Sequence, residues 1–326
     1  MIGTRDLAEA SGIPLEALQH WRDLIAMGSG YTRVSIPQKR RRPRDVCMPS
    51  VPLDRLLKQL KDGLTRSSNY VAPDAVHGFV AGRDIVTNAS QHLDQDVVLR
   101  VDLKDFFGTV NESRLKSTLT SVDFDDEAAD AVSGVALVDG ALAQGFSTSP
   151  ILSNLAFFES DLQLAIAANE TGARYTRYVD DLVFSGPQHL VNDGLLGLLA
   201  DLLSQLGWTI NHGKTRFMRR GKPQYVTGLY VGDAVRPHIP RAMKRLLRRE
   251  VYFASRFGVA DAQRRSPTPI DPDRLGGWVH YAAHADPVFG ANLRSAWREV
   301  MSNRPHYRPT QDWDSLLDEI GFPDSW

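Results

Sequence analysis

Four residues, Tyr178-Val179-Asp180-Asp181, constrain this chain more than any other stretch. They lie between two short β-prone runs, residues 173–177 and 182–184, and the pattern predicts a hairpin with two carboxylates at its turn. Like charges side by side repel and resist burial. Asp is common in hairpin turns for local backbone reasons, so the pair alone fits an ordinary turn. A pair of divalent cations, of the kind that phosphoryl transfer uses, would also remove the conflict, but that reading needs support from elsewhere in the chain.

With 326 residues, the chain can form two or three packed subdomains. Its 42% hydrophobic and 24% charged content is that of a globular protein. No run reaches the ~18 uninterrupted apolar residues of a membrane span. The leucines at 195, 198, 199, 202 and 206 follow helical spacing and predict a core-facing helix. Residues 1–6 lack the basic-then-apolar layout of a secretion signal, and a cytoplasmic, membrane-free bacterial location is expected. A single cysteine, Cys47, excludes an intrachain disulfide framework and a Cys-rich zinc site.

The net charge of −1 hides an uneven distribution. Lys39, Arg40, Arg41, Arg42 and Arg44 form one cationic block. Arg241, Lys244, Arg245 and Arg248 share one face of an expected helix. Acid gathers elsewhere, at Asp123, Asp125, Asp126, Glu127 and Asp130. Such runs are commonly solvated faces, but local patches set the field that a nucleic acid meets.

Along the chain, residues 5–27 read as one or two short helices broken at Gly12–Pro14, and 35–48 as a basic extended segment or hairpin. Residues 52–64 are helical, and 97–103 form a strand ending on Asp102. Helices are expected at 112–120, 127–135 and 149–168, and short strands around 208–210 and 224–231. From 237 onward the pattern is helical, with a Pro-rich break at 266–272. Strands and helices alternate without a repeat, which predicts an α+β fold.

Three segments suggest one chemistry. Asp102-Leu103-Lys104-Asp105-Phe106-Phe107 puts an acid at a strand end, where the Leu103 carbonyl can also face a metal. Gln144-Gly145-Phe146-Ser147-Thr148-Ser149-Pro150 is a loop entering a helix, and the Asp-Asp hairpin is the third. Hard oxygen ligands of this kind suit Mg²⁺.

In order and spacing these segments resemble motifs A, B and C of reverse transcriptases. Further elements resemble the retron branch. Asn88-Ala89-Ser90-Gln91-His92 is similar to its Asn-Ala-x-x-His element, and Val226-Thr227-Gly228 to its Val-Thr-Gly triplet. Arg44-Asp45-Val46-Cys47-Met48-Pro49 resembles a finger motif, and Asn211-His212-Gly213-Lys214-Thr215 the Asn-x-x-Lys-Thr of motif D. The resemblance covers roughly residues 30–250 and runs more loosely through the C-terminal helices.

The resemblance implies a right-hand polymerase fold with fingers, an antiparallel-sheet palm and a helical thumb. Residues 1–95 would be N-terminal helices and fingers, 96–235 the palm with a finger insertion at about 111–143, and 236–326 the thumb. Asp102, Asp180 and Asp181, with the Leu103 carbonyl, would hold two Mg²⁺ ions, for which Mn²⁺ could substitute. Asp181 could act by electrostatics instead of direct coordination. Lys39 and Arg44 would clamp the triphosphate, while Asp105 and Phe106 border the nucleotide through backbone amides. Phe107 would be the aromatic gate against a ribose 2′-hydroxyl, or simply a core aromatic. Gln144 and Gly145 would approach the nascent base pair, and Lys214 the pyrophosphate. Tyr178 would lie near the primer end. Asn88, His92, Val226, Thr227 and Gly228 would engage RNA, or else hold the fold, and Arg241, Lys244, Arg245 and Arg248 would contact the duplex backbone.

The implied activity is RNA-templated DNA synthesis from dNTPs, primed from a 2′-hydroxyl of a cognate structured non-coding RNA. The product would be branched multicopy single-stranded DNA, made in antiphage defence with a separately encoded effector protein. Two rivals stay open: another bacterial defence reverse transcriptase of the abortive-infection type, and a catalytically silent RNA-binding scaffold. An RNA-dependent RNA polymerase would be expected to carry a polar residue where Phe107 stands.

Overall fold

The computed structural model describes residues 1–37 and 43–302. Two helices open it, α1 (Thr4–Ser11) and α2 (Leu15–Ala26). Gly12 ends α1 at φ 70°, a left-handed conformation that glycine adopts without a Cβ penalty. Strands β1 (Tyr31–Ile36) and β2 (Arg44–Pro49) pair antiparallel, with Val34 opposite Val46. The expected basic hairpin is therefore present, although Lys39 and Arg40–Arg42 lie outside the described residues.

Next come α3 (Val51–Ser67), α4 (Ile85–Ser90), β3 (Val97–Asp102), α5 (Phe106–Thr109), α6 (Glu112–Ser121) and α7 (Asp126–Ala136). A small hairpin, β4 (Leu137–Val138) and β5 (Ala141–Leu142), follows. Asp139 and Gly140 both take positive φ at its turn, as a tight hairpin demands. Then follow α8 (Ser149–Thr171), β6 (Arg174–Tyr178), β7 (Asp181–Gly186), α9 (Asp193–Gln205), β8 (Arg216–Arg219), β9 (Tyr225–Val226) and β10 (Leu229–Tyr230). Four helices close the described chain: α10 (Arg241–Phe257), α11 (Val259–Arg265), α12 (Pro272–Ala285) and α13 (Pro287–Ser302).

The main sheet has the order β6-β7-β3-β8. Here the structure departs from one expectation. Trp208 and Ile210 are buried, yet they form no strand; Ile210 only bridges Leu103 beyond the end of β3. The fourth strand is Arg216–Arg219, a short segment with an exposed arginine at each end, which suits a sheet edge.

The chain divides into two compact units. Residues 1–82, 100–183 and 189–216 form the first, with a core that includes Phe106, Phe157 and Trp208. Phe106 stacks on Trp208 at 5.3 Å between ring centres, and Phe157 lies 4.8 Å from the same indole. The second unit comprises residues 83–99, 184–188 and 217 onward, built around Val226, Leu229, Met243, Leu247, Val251, Val279 and Trp297. No described helix is long and apolar enough to cross a membrane.

Candidate active site

The hairpin of β6 and β7 places Asp180 and Asp181 at its turn, as the sequence suggests. Val179 takes φ 59° there, a left-handed conformation that a β-branched residue adopts only under constraint. The Leu103 amide donates to the Asp180 carbonyl at 3.3 Å, so the turn lies beside the end of β3. Asp102 ends that strand and is 2% exposed.

A buried carboxylate requires a positive partner. Lys214 supplies it, its Nζ 3.0 Å from each carboxylate oxygen of Asp102. The backbone explains how it arrives there. The Asn211 amide donates to the Asp102 carbonyl at 2.8 Å, and the Lys104 amide to the Thr209 carbonyl at 2.8 Å. The Lys214 and Thr215 amides then close a tight turn onto the Asn211 carbonyl.

Asp181, 6% exposed, has a cation of its own. Arg100 Nε and Nη2 donate to its two oxygens at 2.8 and 2.7 Å, a bidentate fork. Arg100 stands two residues before Asp102 on β3 and so projects from the same face of the strand. Sequence reading missed it. The alternation Arg100-Val101-Asp102 carried the only signal.

The Gln144-Gly145 loop is fixed to the β1–β2 hairpin. The Cys47 amide donates to the Gln144 carbonyl at 2.7 Å, and Arg44 Nε donates to Gln144 Oε1 at 2.7 Å. A Cβ on Gly145 would lie 2.5 Å from the Cys47 carbonyl oxygen, and the residue takes φ 105°. Only glycine fits. Arg44 is exposed, with guanidinium donors to spare for an anion.

Phe107 is buried at 8% exposure, edge-on to Phe106 at 5.4 Å. Phe106 is a core residue, and any role at a nucleotide falls to its backbone. Asp105 is exposed at φ 49° and starts α5.

In the second unit, the retron-like elements form one piece. Asp84 caps α4, accepting from the Val86 and Thr87 amides at 2.9 and 2.8 Å. Asn88, on that helix, is completely buried, and neither side-chain polar atom has a partner among the described residues. His92 is also completely buried, with Nδ1 2.6 Å from Ser185 Oγ. The expectation that Asn88 and His92 touch RNA is corrected by this burial: neither side chain reaches the surface. Thr227 Oγ1 donates to the Ile85 carbonyl at 2.9 Å, tying the Val-Thr-Gly segment to α4. Val226 belongs to the core, so its part in direct RNA contact is likewise corrected, whereas Gly228 is exposed.

The basic face of α10 is narrower than expected. Arg241, Arg245 and Arg248 are exposed, but the Lys244 ammonium is 2.5 Å from Asp286 and 5.2 Å from the Phe289 ring centre. Burial alone would raise the Asp286 carboxyl, but bonding to Lys244 holds it below its usual range. Lys244 is thus partly buried and already paired within this unit, so a phosphate would have to share its ammonium with Asp286.

Among the described residues, no group of three or more His, Cys, Asp or Glu side chains is arranged to hold a metal ion. The donor set at the strand ends nevertheless fits a hard divalent ion. It is anionic and all-oxygen, and Asp102 and Asp181 already demand positive charge, met by Lys214 and Arg100.

The geometry is that of a polymerase palm, and comparison with known proteins assigns the family. The model for "Reverse transcriptase (RNA-dependent DNA polymerase)" matches residues 36–244, and the chain belongs to this family. Several of the proteins it resembles are retron reverse transcriptases. It is 32% identical over 253 residues to the retron Mx65 reverse transcriptase of Myxococcus xanthus, covering 71% of this chain and 58% of that protein. The retron Mx162 enzyme of the same organism is 31% identical over 280 residues, covering 76% and 57%. The retron Ec86 reverse transcriptase of Escherichia coli is 27% identical, covering 72% of each. The chain thus spans under three fifths of the length of the two Myxococcus relatives. Among solved structures, a foamy viral protease-reverse transcriptase in complex with double-stranded DNA matches at TM-score 0.47 and 14% identity, covering 92% of this chain and 45% of that one.

Proposed function

We propose that this protein is an RNA-directed DNA polymerase that copies a cognate structured RNA from dNTPs. The observation carrying this reading is the meeting of Asp102 with the Asp180–Asp181 turn, marked by the Leu103-to-Asp180 backbone bond of 3.3 Å. Asp102, Asp180 and Asp181, with the Leu103 carbonyl, would hold two Mg²⁺ or Mn²⁺ ions. Such ions, when bound, activate the attacking hydroxyl and neutralise the leaving pyrophosphate. Lys214, paired with Asp102 in this structure, would be the cation nearest the phosphates once ions neutralise that carboxylate. Arg44, held by Gln144, presents its free donors to the triphosphate, assisted by Lys39. Phe107 lines the sugar, Tyr178 the primer end, and the Asp105 and Phe106 amides the nucleotide. Arg241, Arg245 and Arg248 meet duplex phosphates, and Gly228 with Thr227 offers the RNA a surface supported by α4.

In this reading residues 1–95 serve as N-terminal helices and fingers, 96–235 as palm with a finger insertion at about 111–143, and 236–326 as thumb. Priming comes from an RNA 2′-hydroxyl and yields branched multicopy single-stranded DNA in the bacterial cytoplasm. The defence role requires a separately encoded effector. The retron relatives favour this over the abortive-infection type, and the intact carboxylates favour it over a silent scaffold.

The test is to express the chain with its flanking DNA and isolate the nucleic acid that co-purifies. One discrete DNA joined to RNA, sensitive to debranching enzyme and absent from Asp180→Asn/Asp181→Asn, supports the reading. RNA-free or heterogeneous DNA moves the protein to another reverse-transcriptase type. Bound RNA without DNA from either version supports the scaffold.

A further inference from the structure

Beneath the Asp180–Asp181 turn lies an ion pair that the chemistry above does not use. Arg177 and Asp161 are both completely buried. Arg177 Nε and Nη2 donate to the two Asp161 oxygens at 2.8 and 2.6 Å. The remaining arm, Nη1, donates to Asn154 Oδ1 at 3.1 Å and to the Val179 carbonyl at 3.0 Å. Tyr175 adds its hydroxyl to Asp161 at 2.8 Å, and the guanidinium lies 4.9 Å from the Phe157 ring centre.

We infer that Arg177, oriented by Asp161 and Asn154, is the positioning residue that sets where Asp180 points. The peptide unit is rigid, so fixing the Val179 carbonyl also fixes the Asp180 nitrogen. The Asp180 carbonyl is held in turn by the Leu103 amide. Both peptides flanking the Asp180 Cα are therefore anchored. The other side of the turn is closed by Gly78, where a Cβ would lie 2.6 Å from the Val179 nitrogen. Asn154 Nδ2 holds the Gly78 carbonyl at 3.0 Å, linking the two supports. Val179 is pinned in its left-handed conformation by contacts on both faces, a conformation that a β-branched residue does not hold unsupported.

Stability alone is a poor reason for this arrangement. Well-packed apolar side chains of similar volume commonly match or exceed a buried ion pair in stability. A fork bonded on both sides gives direction, which apolar packing lacks. The network acts on the carboxylate through the backbone and touches no substrate.

This inference rests on the polymerase reading, and the test separates the two. The variant Asp161→Leu/Arg177→Met/Tyr175→Phe replaces the network with apolar groups and leaves no buried hydroxyl on Tyr175. It is compared with wild type by thermal melting, by Mn²⁺ titration followed by electron paramagnetic resonance, and by single-nucleotide incorporation. The expected result is a folded protein with Mn²⁺ affinity lower by about tenfold. Its kcat falls about a hundredfold while the KM for dNTP stays within about threefold. A folded variant with wild-type Mn²⁺ affinity and kcat overturns the inference. If the triple variant does not fold, Asn154→Ala keeps the ion pair and removes only the lateral supports. It should show the same split at about tenfold in kcat, and a loss that merely tracks the unfolded fraction overturns the inference. A wild type that binds Mn²⁺ but incorporates nothing sinks the polymerase reading, while the Mn²⁺ comparison still tests the placement.

Discussion

Lys214 reaches across from the turn after Ile210 and holds both oxygens of Asp102 at 3.0 Å, occupying the place where positive charge is needed. Arg100 does the same for Asp181. The two carboxylates are neutralised from within the fold, and a divalent cation must displace or share these partners.

Removing the competitor should therefore strengthen cation binding. Lys214→Met is expected to bind Mn²⁺ severalfold more tightly than wild type in a direct titration, while its melting temperature without divalent ions falls. The uncompensated Asp102 costs about 1–3 kcal/mol. Unchanged Mn²⁺ affinity would mean that Lys214 and the metal do not compete.

Gly145 answers to backbone geometry. Its φ of 105° and the Cys47 oxygen at 2.5 Å from a hypothetical Cβ leave no room for alanine. Gly145→Ala is expected to lower stability by about 1–3 kcal/mol in urea titration and to lower nucleotide incorporation more than stability explains. A variant with wild-type melting and turnover would show that the loop does not need this conformation.

Asn88 stands in the opposite situation. Its carboxamide is buried without a partner among the described residues, a state that costs about 1–3 kcal/mol. Asn88→Leu is expected to raise the stability of the nucleic-acid-free protein by roughly 1 kcal/mol in a urea melt. A destabilised variant would show that the carboxamide is bonded in solution.

The Asp84 cap carries a pH dependence. Its bond to His284, 2.5 Å away, lowers the carboxyl from 3.8 to about 2 against the opposing effect of burial. A carboxyl depressed in the folded state stabilises above its unfolded value and loses that contribution as pH falls through the folded one. The contribution is therefore complete above about pH 4 and lost on approaching pH 2. His284→Ala should flatten acid unfolding in that window, measured by circular dichroism, and an unaltered acid profile would rule out this pair as a cause.

Much of the site was legible because it is local in sequence. The Asp-Asp turn, the strand ending at Asp102 and the Gln-Gly loop each announce themselves within a few residues, and the structure places them in one unit. What was illegible depends on partners far apart in the chain. Nothing near Arg100 says that its fork meets Asp181, and nothing near Asp161 points to Arg177. Asn88 and His92 were left open between engaging RNA and holding the fold, because helical spacing shows which residues share a face, not which face is covered. Lys244 was likewise placed by periodicity, and Asp286, 42 positions later, redirects it. The β4–β5 hairpin went unread, although Asp139-Gly140 between apolar residues is a strong local hairpin signal.

The most direct test of the central claim is template-dependent synthesis by the purified chain. Wild type and Asp180→Asn/Asp181→Asn are given an RNA template annealed to a DNA primer, with dNTPs and Mg²⁺, and product length is followed. Wild type is expected to extend the primer to the template end only when the complementary dNTPs are present, and the double variant to extend it at least a thousandfold more slowly, on the order of 4 kcal/mol. Equal extension by both proteins would contradict the assignment of these carboxylates. Extension by neither, with folded protein and bound template, would contradict the polymerase reading itself.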